Sequence, residues 1–271
     1  SKNGKYLWTL AQNRAMQRRF KTTTNRKIDS SLISQVKQLI LEKQWSPQQI
    51  SGYLKKQEKF ISHEKIYQII REDTSGKLKE CCRHKMKYHK SKHTKIKAMK
   101  PLIQDRTSIH DRPIPENNNW MGYWEMDLIL GKNNHGAILT LMEKSTNYLL
   151  MTKLKHGKNA KALAYNVRRL LLPFKKQIQN ITTDNGLEFS QHKLISKLLG
   201  TKVYFTDPYA SWQKGAIENT NKLIRQYIPK GTDFNQISEH FLHAIQTKIN
   251  QRPRQKLNFS TPDYCFLNLF N

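Results

Sequence analysis

The sequence predicts an α/β sandwich on a mixed sheet, preceded by an all-helical unit. Three observations carry this reading. Apolar residues recur at helical spacing between Ile28 and Asp73, strand-like and helix-like segments alternate after Trp120, and a basic stretch ending in two prolines separates them. At 271 residues the chain can build one large domain or two to three small ones.

In the first part, Ile28, Leu32, Val36, Leu39 and Ile40 mark one helix. "SPQQISGYL" starts a second, with Ser46 as N-cap and Pro47 at the first helical position, where its missing N–H costs nothing. "ISHEKIYQIIRED" starts a third behind Ser62, with Ile66, Ile69 and Ile70 inward. Short helices with tight connections suit a helix-turn-helix unit over residues 1–75, although a plain three-helix bundle has the same pattern. As a DNA reader, its third helix would present His63, Lys65, Gln68 and Arg71 to the major groove. Residues 76–116 read as a basic linker: Lys77 to Lys100 carry ten Lys or Arg, three His and one acid, Glu80.

Residues 117–271 hold the alternating pattern. "YWEMDLILG" is strand-like, "GAILTLMEKSTNYLLMTKL" reads as two strands around a turn, and "NAKALAYNVRRLLLPF" as a helix. "QNITTDNG" is a short strand, "SQHKLISKLLG" a helix closed by Gly200, "TKVYFTDP" a strand stopped by Pro208, and "KGAIENTNKLIRQYIP" a helix. The sheet therefore has five strands, and nothing before Ile28 is assigned an element.

Composition narrows the function classes. The formal net charge is +28, with 27 basic and 10 acidic residues in 1–119 and 21 and 10 in the rest. Both parts attract polyphosphate, of which nucleic acid is the commonest partner, and double-stranded DNA is the partner expected here. No run of 18 apolar residues is present, and no basic amphipathic stretch has the apolar face of a membrane-surface helix, so a membrane partner is excluded. The first residues lack an apolar signal core and a Met, and read as a fragment or processed form of a cytoplasmic protein. Three cysteines, Cys81, Cys82 and Cys265, form no disulfide framework. A zinc site from Cys81, Cys82, His84, His89 and His93 lacks the usual spacing and is set aside.

Against so much positive charge, three acids stand out. Asp127 lies inside an apolar strand, where it either faces outward or needs a partner. In "ITTDNGLEF", Asn185-Gly186 suggests a hairpin, but the following residues turn helical, which puts Asp184 at the carboxyl end of a strand instead. Glu218 sits on the polar arc of a helix with Asn221, Lys222 and Arg225, opposite Ala216, Ile217, Thr220, Leu223, Ile224, Tyr227 and Ile228. Alone, Glu218 and Lys222 would be an ordinary i,i+4 pair. Together, two Asp and a Glu form a hard oxygen set suited to Mg²⁺ or Mn²⁺.

These motifs resemble the DDE transposases of the bacterial IS-thirty insertion-sequence family. The likeness rests on "WEMDLILGK", "ITTDNGLEF" and "GAIENTNKLIRQYIPKGTDF", with 33 residues between Asp184 and Glu218. "WSPQQISGYL", "ISHEKIYQII", "VYFTDPYASWQKGAIEN", "INQRPRQKL" and "STPDYCF" extend it from about residue 28 to 266. One departure is Glu125-Met126 before the first acid, where many relatives have Glu-Gly; only a short stretch precedes Ile28, where family members commonly carry a further helix-turn-helix. The resemblance implies an RNase H-like, integrase-like catalytic core behind a helix-turn-helix domain. It implies Mg²⁺-dependent cleavage at the element's terminal inverted repeats and transfer of the 3′-OH to target DNA, by a dimer or larger assembly at the bacterial nucleoid. Asp127, Asp184 and Glu218 would hold two Mg²⁺ ions, with Mn²⁺ as substitute, and Asn185 and Gly186 would shape the loop. Tyr209, Trp212, Gln213, Lys214, Asn219, Lys222 and Arg225 would contact DNA. A DNA-binding regulator, or a nuclease that cuts without joining, would share the fold.

Overall fold

The computed structural model describes residues 7–22, 28–86, 103–155 and 157–270. Helix α1 (Trp8–Thr22), unassigned from the sequence, opens it. It is rich in good helix formers but lacks an apolar stripe, and most of its described side chains are exposed.

Helices α3 (Pro47–Lys55) and α4 (His63–Glu72) start where the sequence places them, whereas α2 (Ser30–Gln38) starts two residues after Ile28, behind Asp29 as N-cap. Ser46 Oγ accepts from Gln49 N and Gln49 Oε1 accepts from Ser46 N, a reciprocal capping box. Ser62 Oγ accepts from Lys65 N at the head of α4. A π turn, Leu39–Lys43, extends α2 and ends at Gln44, whose φ is 53°. The apolar faces meet in a cluster of their own, with Val36, Ile40, Ile50, Leu54 and Ile66 fully buried. A short helix, α5 (Lys77–Cys81), follows and adds Leu78 to that cluster. Residues 87–102 of the basic stretch, including His89 and His93, lie outside the described residues, as does the side chain of His84.

Residues 103–116, the end of the stretch read as linker, join the sheet: Ile103 is buried in its core and β1 (Thr107–Ser108) forms its edge. Then come β2 (Tyr123–Leu130), β3 (Ala137–Glu143), β4 (Leu149–Leu154), α6 (Ala160–Leu171), β5 (Asn180–Thr183), α7 (His192–Leu199), β6 (Lys202–Phe205), α8 (Gly215–Tyr227), α9 (Glu239–Asn250) and α10 (Pro262–Phe270). The order across the sheet is β1-β6-β5-β2-β3-β4. Strands β2, β3 and β4 form an antiparallel meander, while β5 and β6 run parallel to β2. This is the expected RNase H-like arrangement, with one correction: six strands rather than five. The sixth has two residues and no apolar alternation by which it could be read.

Strand β2 explains the layering. Trp124 and Met126 enter a core shared with α6, α7 and Phe266 of α10, while Ile129 enters a second core with α8 and α9. Because side chains alternate along a strand, Glu125 and Asp127 share the side of Ile129, facing α8. Helices α9 and α10, also unassigned from the sequence, complete the two layers.

Candidate functional site

Asp127 lies toward the end of β2, on the neighbour of β5, and Asp184 just past the end of β5. The loop after β5 answers the hairpin question. Asp184 Oδ1 accepts from Gly186 N at 3.0 Å, a turn that leads into Leu187–Phe189 and then α7 rather than a second strand. Gly186 has an ordinary φ of −70°, and a Cβ there would lie 2.7 Å from the Glu188 carboxyl carbon, the far end of a side chain that would have to swing aside. Asn185 braces the loop, donating to Thr206 O at 2.7 Å and accepting from Arg106.

The second oxygen of Asp184 points at the acid on the neighbouring strand, and a cation stands between them. Lys214 Nζ lies 3.2 Å from Asp184 Oδ2 and 3.4 Å from Asp127 Oδ1, and it donates to Met126 O at 3.3 Å. Lys214, expected to contact DNA, is buried in this position just before α8. Burial alone would lower its pKa, but the two carboxylates outweigh it and hold the ammonium above the ordinary lysine value. Burial raises the Asp127 carboxyl, and the Asp184 charge adds to that push against the pull of Lys214.

Helix α8 supplies the rest. Lys214, Glu218, Asn221 and Arg225 follow one another at i, i+4, i+7 and i+11, a single stripe. Asn221 Nδ2 donates to Asp127 Oδ2 at 2.8 Å and Arg225 Nη2 to Leu130 O at 2.7 Å, so the stripe turns toward β2. Glu218, Asn221 and Arg225 of the polar arc are thus partly buried toward the sheet while Lys222 stays exposed, and Glu218 lies between two residues that reach Asp127. Among the described residues no group of three His, Cys, Asp or Glu side chains converges as a metal cage. The convergence shown is that of two aspartates on one cation, a donor set that fits a hard divalent ion.

Glu125, unassigned from the sequence beyond its place before Asp127, ties these elements together. It is 2% exposed, and its Oε2 accepts from Ile217 N at 3.0 Å, holding the first turn of α8 against β2. Burial raises its carboxyl above the usual range, despite the charges of Lys144, Lys214 and Arg112 nearby. The period of two that puts it on the face of Asp127 was the available signal.

The other expected contacts divide. Trp212 and Tyr209 are strongly exposed, and Asn219 and Lys222 are exposed on α8. Gln213 instead braces its own loop, donating to Asp207 Oδ2 and accepting from Asp207 N, both at 2.8 Å. On α4, His63 and Gln68 are exposed and Lys65 is partly buried, while Arg71 pairs with Glu64 at 3.1 Å. Arg71 also faces a cleft of about 1560 Å³ between the helical unit and α8, lined there by Glu64, Tyr67, Asn219, Lys222 and Arg225.

Similarity to known proteins covers this whole arrangement. The chain is 38% identical over 275 residues to the transposase for insertion sequence element IS4351 of Bacteroides fragilis, spanning 100% of this chain and 83% of that protein. It belongs to the insertion-sequence transposases. Within that family it is 37% identical over 234 residues to the transposase for IS1086 of Cupriavidus metallidurans, covering 82% of this chain and 68% of the relative. It is 34% identical over 244 residues to transposase InsI for IS30A of Escherichia coli, covering 84% and 63%. The IS-thirty resemblance is thus confirmed. No family model matches the chain. Among solved structures, the catalytic core domain of BIV integrase aligns with 55% of this chain and 95% of its own, at a TM-score of 0.42 and 18% identity. Among the described residues no helix is long and apolar enough to cross a membrane.

Proposed function

We propose that the chain is a metal-dependent DNA transposase that binds the terminal inverted repeats of its element, cleaves there, and joins the freed 3′-OH to target DNA. The observation that carries this reading is the meeting of Asp127 and Asp184 on one cation beside the helix of Glu218. Asp127, Asp184 and Glu218 would hold Mg²⁺, or Mn²⁺ in its place. Paired ions of this kind activate the attacking oxygen and stabilise the leaving oxygen of an in-line phosphoryl displacement.

The remaining work falls to the chain's own residues. Asn221 fixes one oxygen of Asp127, and Gly186 N fixes one oxygen of Asp184, leaving the other facing the site. Glu125 holds the start of α8, and with it the register of Glu218 against β2. Exposed Trp212, Asn219 and Lys222 lie where a bound strand can touch them, and the helical unit supplies further phosphate and base contacts as a DNA-binding domain. Joining two element ends calls for a dimer or larger assembly on the DNA, at the bacterial nucleoid.

Incubation with Mg²⁺ and a duplex carrying the element's inverted repeat, followed by mapping of nicks, tests the reading. Wild-type protein nicks at the repeat boundary, and Asp184→Asn binds the same duplex without nicking it. Nicking by the Asn variant at wild-type rate would remove Asp184 from the site.

A further inference from the structure

The cleft between the helical unit and α8 has a floor that the catalytic site does not use. Its lining includes eight Lys or Arg and one acid, Glu64, already tied to Arg71 at 3.1 Å. At the floor, just after α9, Arg252-Pro253-Arg254 turns two guanidiniums inward. Arg252 is 2% exposed and Arg254 partly buried, and the Nε of each is buried without a hydrogen-bond partner. Among the described residues no carboxylate stands within ion-pair distance of either, nor of Arg83 of the helical unit, whose charge Arg252 feels.

Buried charge without a counter-charge is expensive, and like charges held together add to the cost. Yet Arg252 is held in a fixed pose. Its Nη2 donates to Tyr227 Oη at 2.5 Å and Gln226 Oε1 at 3.3 Å, and its guanidinium stands 5.5 Å from the Tyr227 ring. Gln226 in turn donates to Cys81 O at 3.1 Å, bridging α8 and the helical unit. Burial, with the Arg252 charge added, lowers Arg254 to about 10. An anion held against both guanidiniums offsets their like charge, and their planar forks match phosphate oxygens in pairs.

We propose that Arg252 and Arg254, with Arg83 opposite, form a phosphate site that clamps the backbone of duplex DNA where it passes between the helical unit and α8. This rests on the DNA-acting reading above. It gives the "QRPR" segment a role separate from the chemistry.

Fluorescence anisotropy of the full chain on a labelled duplex, repeated across salt concentrations, tests the proposal. Removing two phosphate contacts lowers the slope of log K against log salt by about 1.8, since each contact contributes roughly 0.9. Arg252→Gln/Arg254→Gln therefore loses that slope on related and unrelated sequences alike, while Arg252→Lys/Arg254→Lys keeps most of it. Circular dichroism checks folding, and Arg254→Gln alone, at the less buried position, loses about 0.9. An unchanged slope overturns the site, as does an equal loss from Lys175→Gln/Lys176→Gln, exposed lysines beyond α6. Stabilisation of wild type but not the double Gln variant by inorganic phosphate, with the DNA slope unchanged, would make the ligand a free anion and overturn the DNA assignment. Wild-type protein that binds no duplex overturns the functional reading as well; binding with an unchanged slope overturns only the site.

Discussion

Replacing Lys214 by Met keeps the length of the side chain and removes the ammonium between Asp127 and Asp184. The two carboxylates then face one another without the charge now 3.4 and 3.2 Å from them. Removing one partner of a buried ion pair typically costs 3–5 kcal/mol. The Asp184 side chain is 46% exposed and solvent screens its share, so the expected loss is about 3 kcal/mol, at the low end. Urea unfolding without divalent ions measures it. A divalent cation that takes the vacated position returns the stability: Mg²⁺ at a hundred times its dissociation constant contributes about 2.7 kcal/mol. Lys214→Met should therefore be the less stable protein in EDTA and the more strongly stabilised one in Mg²⁺. A variant within about 0.5 kcal/mol of wild type in EDTA, or a loss that Mg²⁺ leaves untouched, would refute the claim that this ammonium stands at a cation position.

Two further outcomes follow from the same geometry. Glu125 is held above its ordinary pKa of 4.5 by burial, so it contributes stability below that value and loses it as pH rises through its folded pKa. Glu125→Gln keeps an acceptor for Ile217 N but does not titrate; in urea unfolding between pH 4 and pH 8, wild type should lose ground to it as pH rises, and a pH-independent difference would count against the buried carboxylate. Gly52 of α3 lies against the Phe259 ring, where a Cβ would fall 2.1 Å from Cε1. Gly52→Ala should destabilise the seat of the helical unit by about 1–3 kcal/mol in thermal unfolding, and a neutral effect would mean the ring moves freely.

How much of this was legible in the residues depends on the range of the signal. Local chemistry was: Ser46, Pro47 and Ser62 open helices as expected, and Gly200, with φ 72°, closes α7. The turn at Asp184 was legible too, because a strand that runs into helical spacing cannot complete a hairpin. The position of Lys214 was not legible, for a different reason. Its neighbours Tyr209 and Trp212 are exposed, and nothing in "YASWQKG" says that the lysine alone folds under the start of α8 to reach two strands. Gln213 likewise serves its own loop through Asp207, a partner six residues away that periodicity does not report.

Long-range partners explain the remaining misses. The edge strand Thr107–Ser108 exists because β6 offers an unpaired edge, not because two polar residues favour a strand. Arg252 and Arg254 were visible as a motif, but not as a pair turned into the cleft with no carboxylate among the described residues within ion-pair distance.

The central claim is that Asp127, Asp184 and Glu218 form one metal-dependent strand-transfer site. A joining assay tests it most directly, with a pre-cleaved inverted-repeat end bearing a 3′-OH, supercoiled target DNA, and Mg²⁺ or EDTA. The account predicts joined products with wild type in Mg²⁺, none in EDTA, and none from Asp127→Asn, Asp184→Asn or Glu218→Gln although each still binds the end. Joining in EDTA, or joining by any of the three variants at wild-type rate, would contradict it.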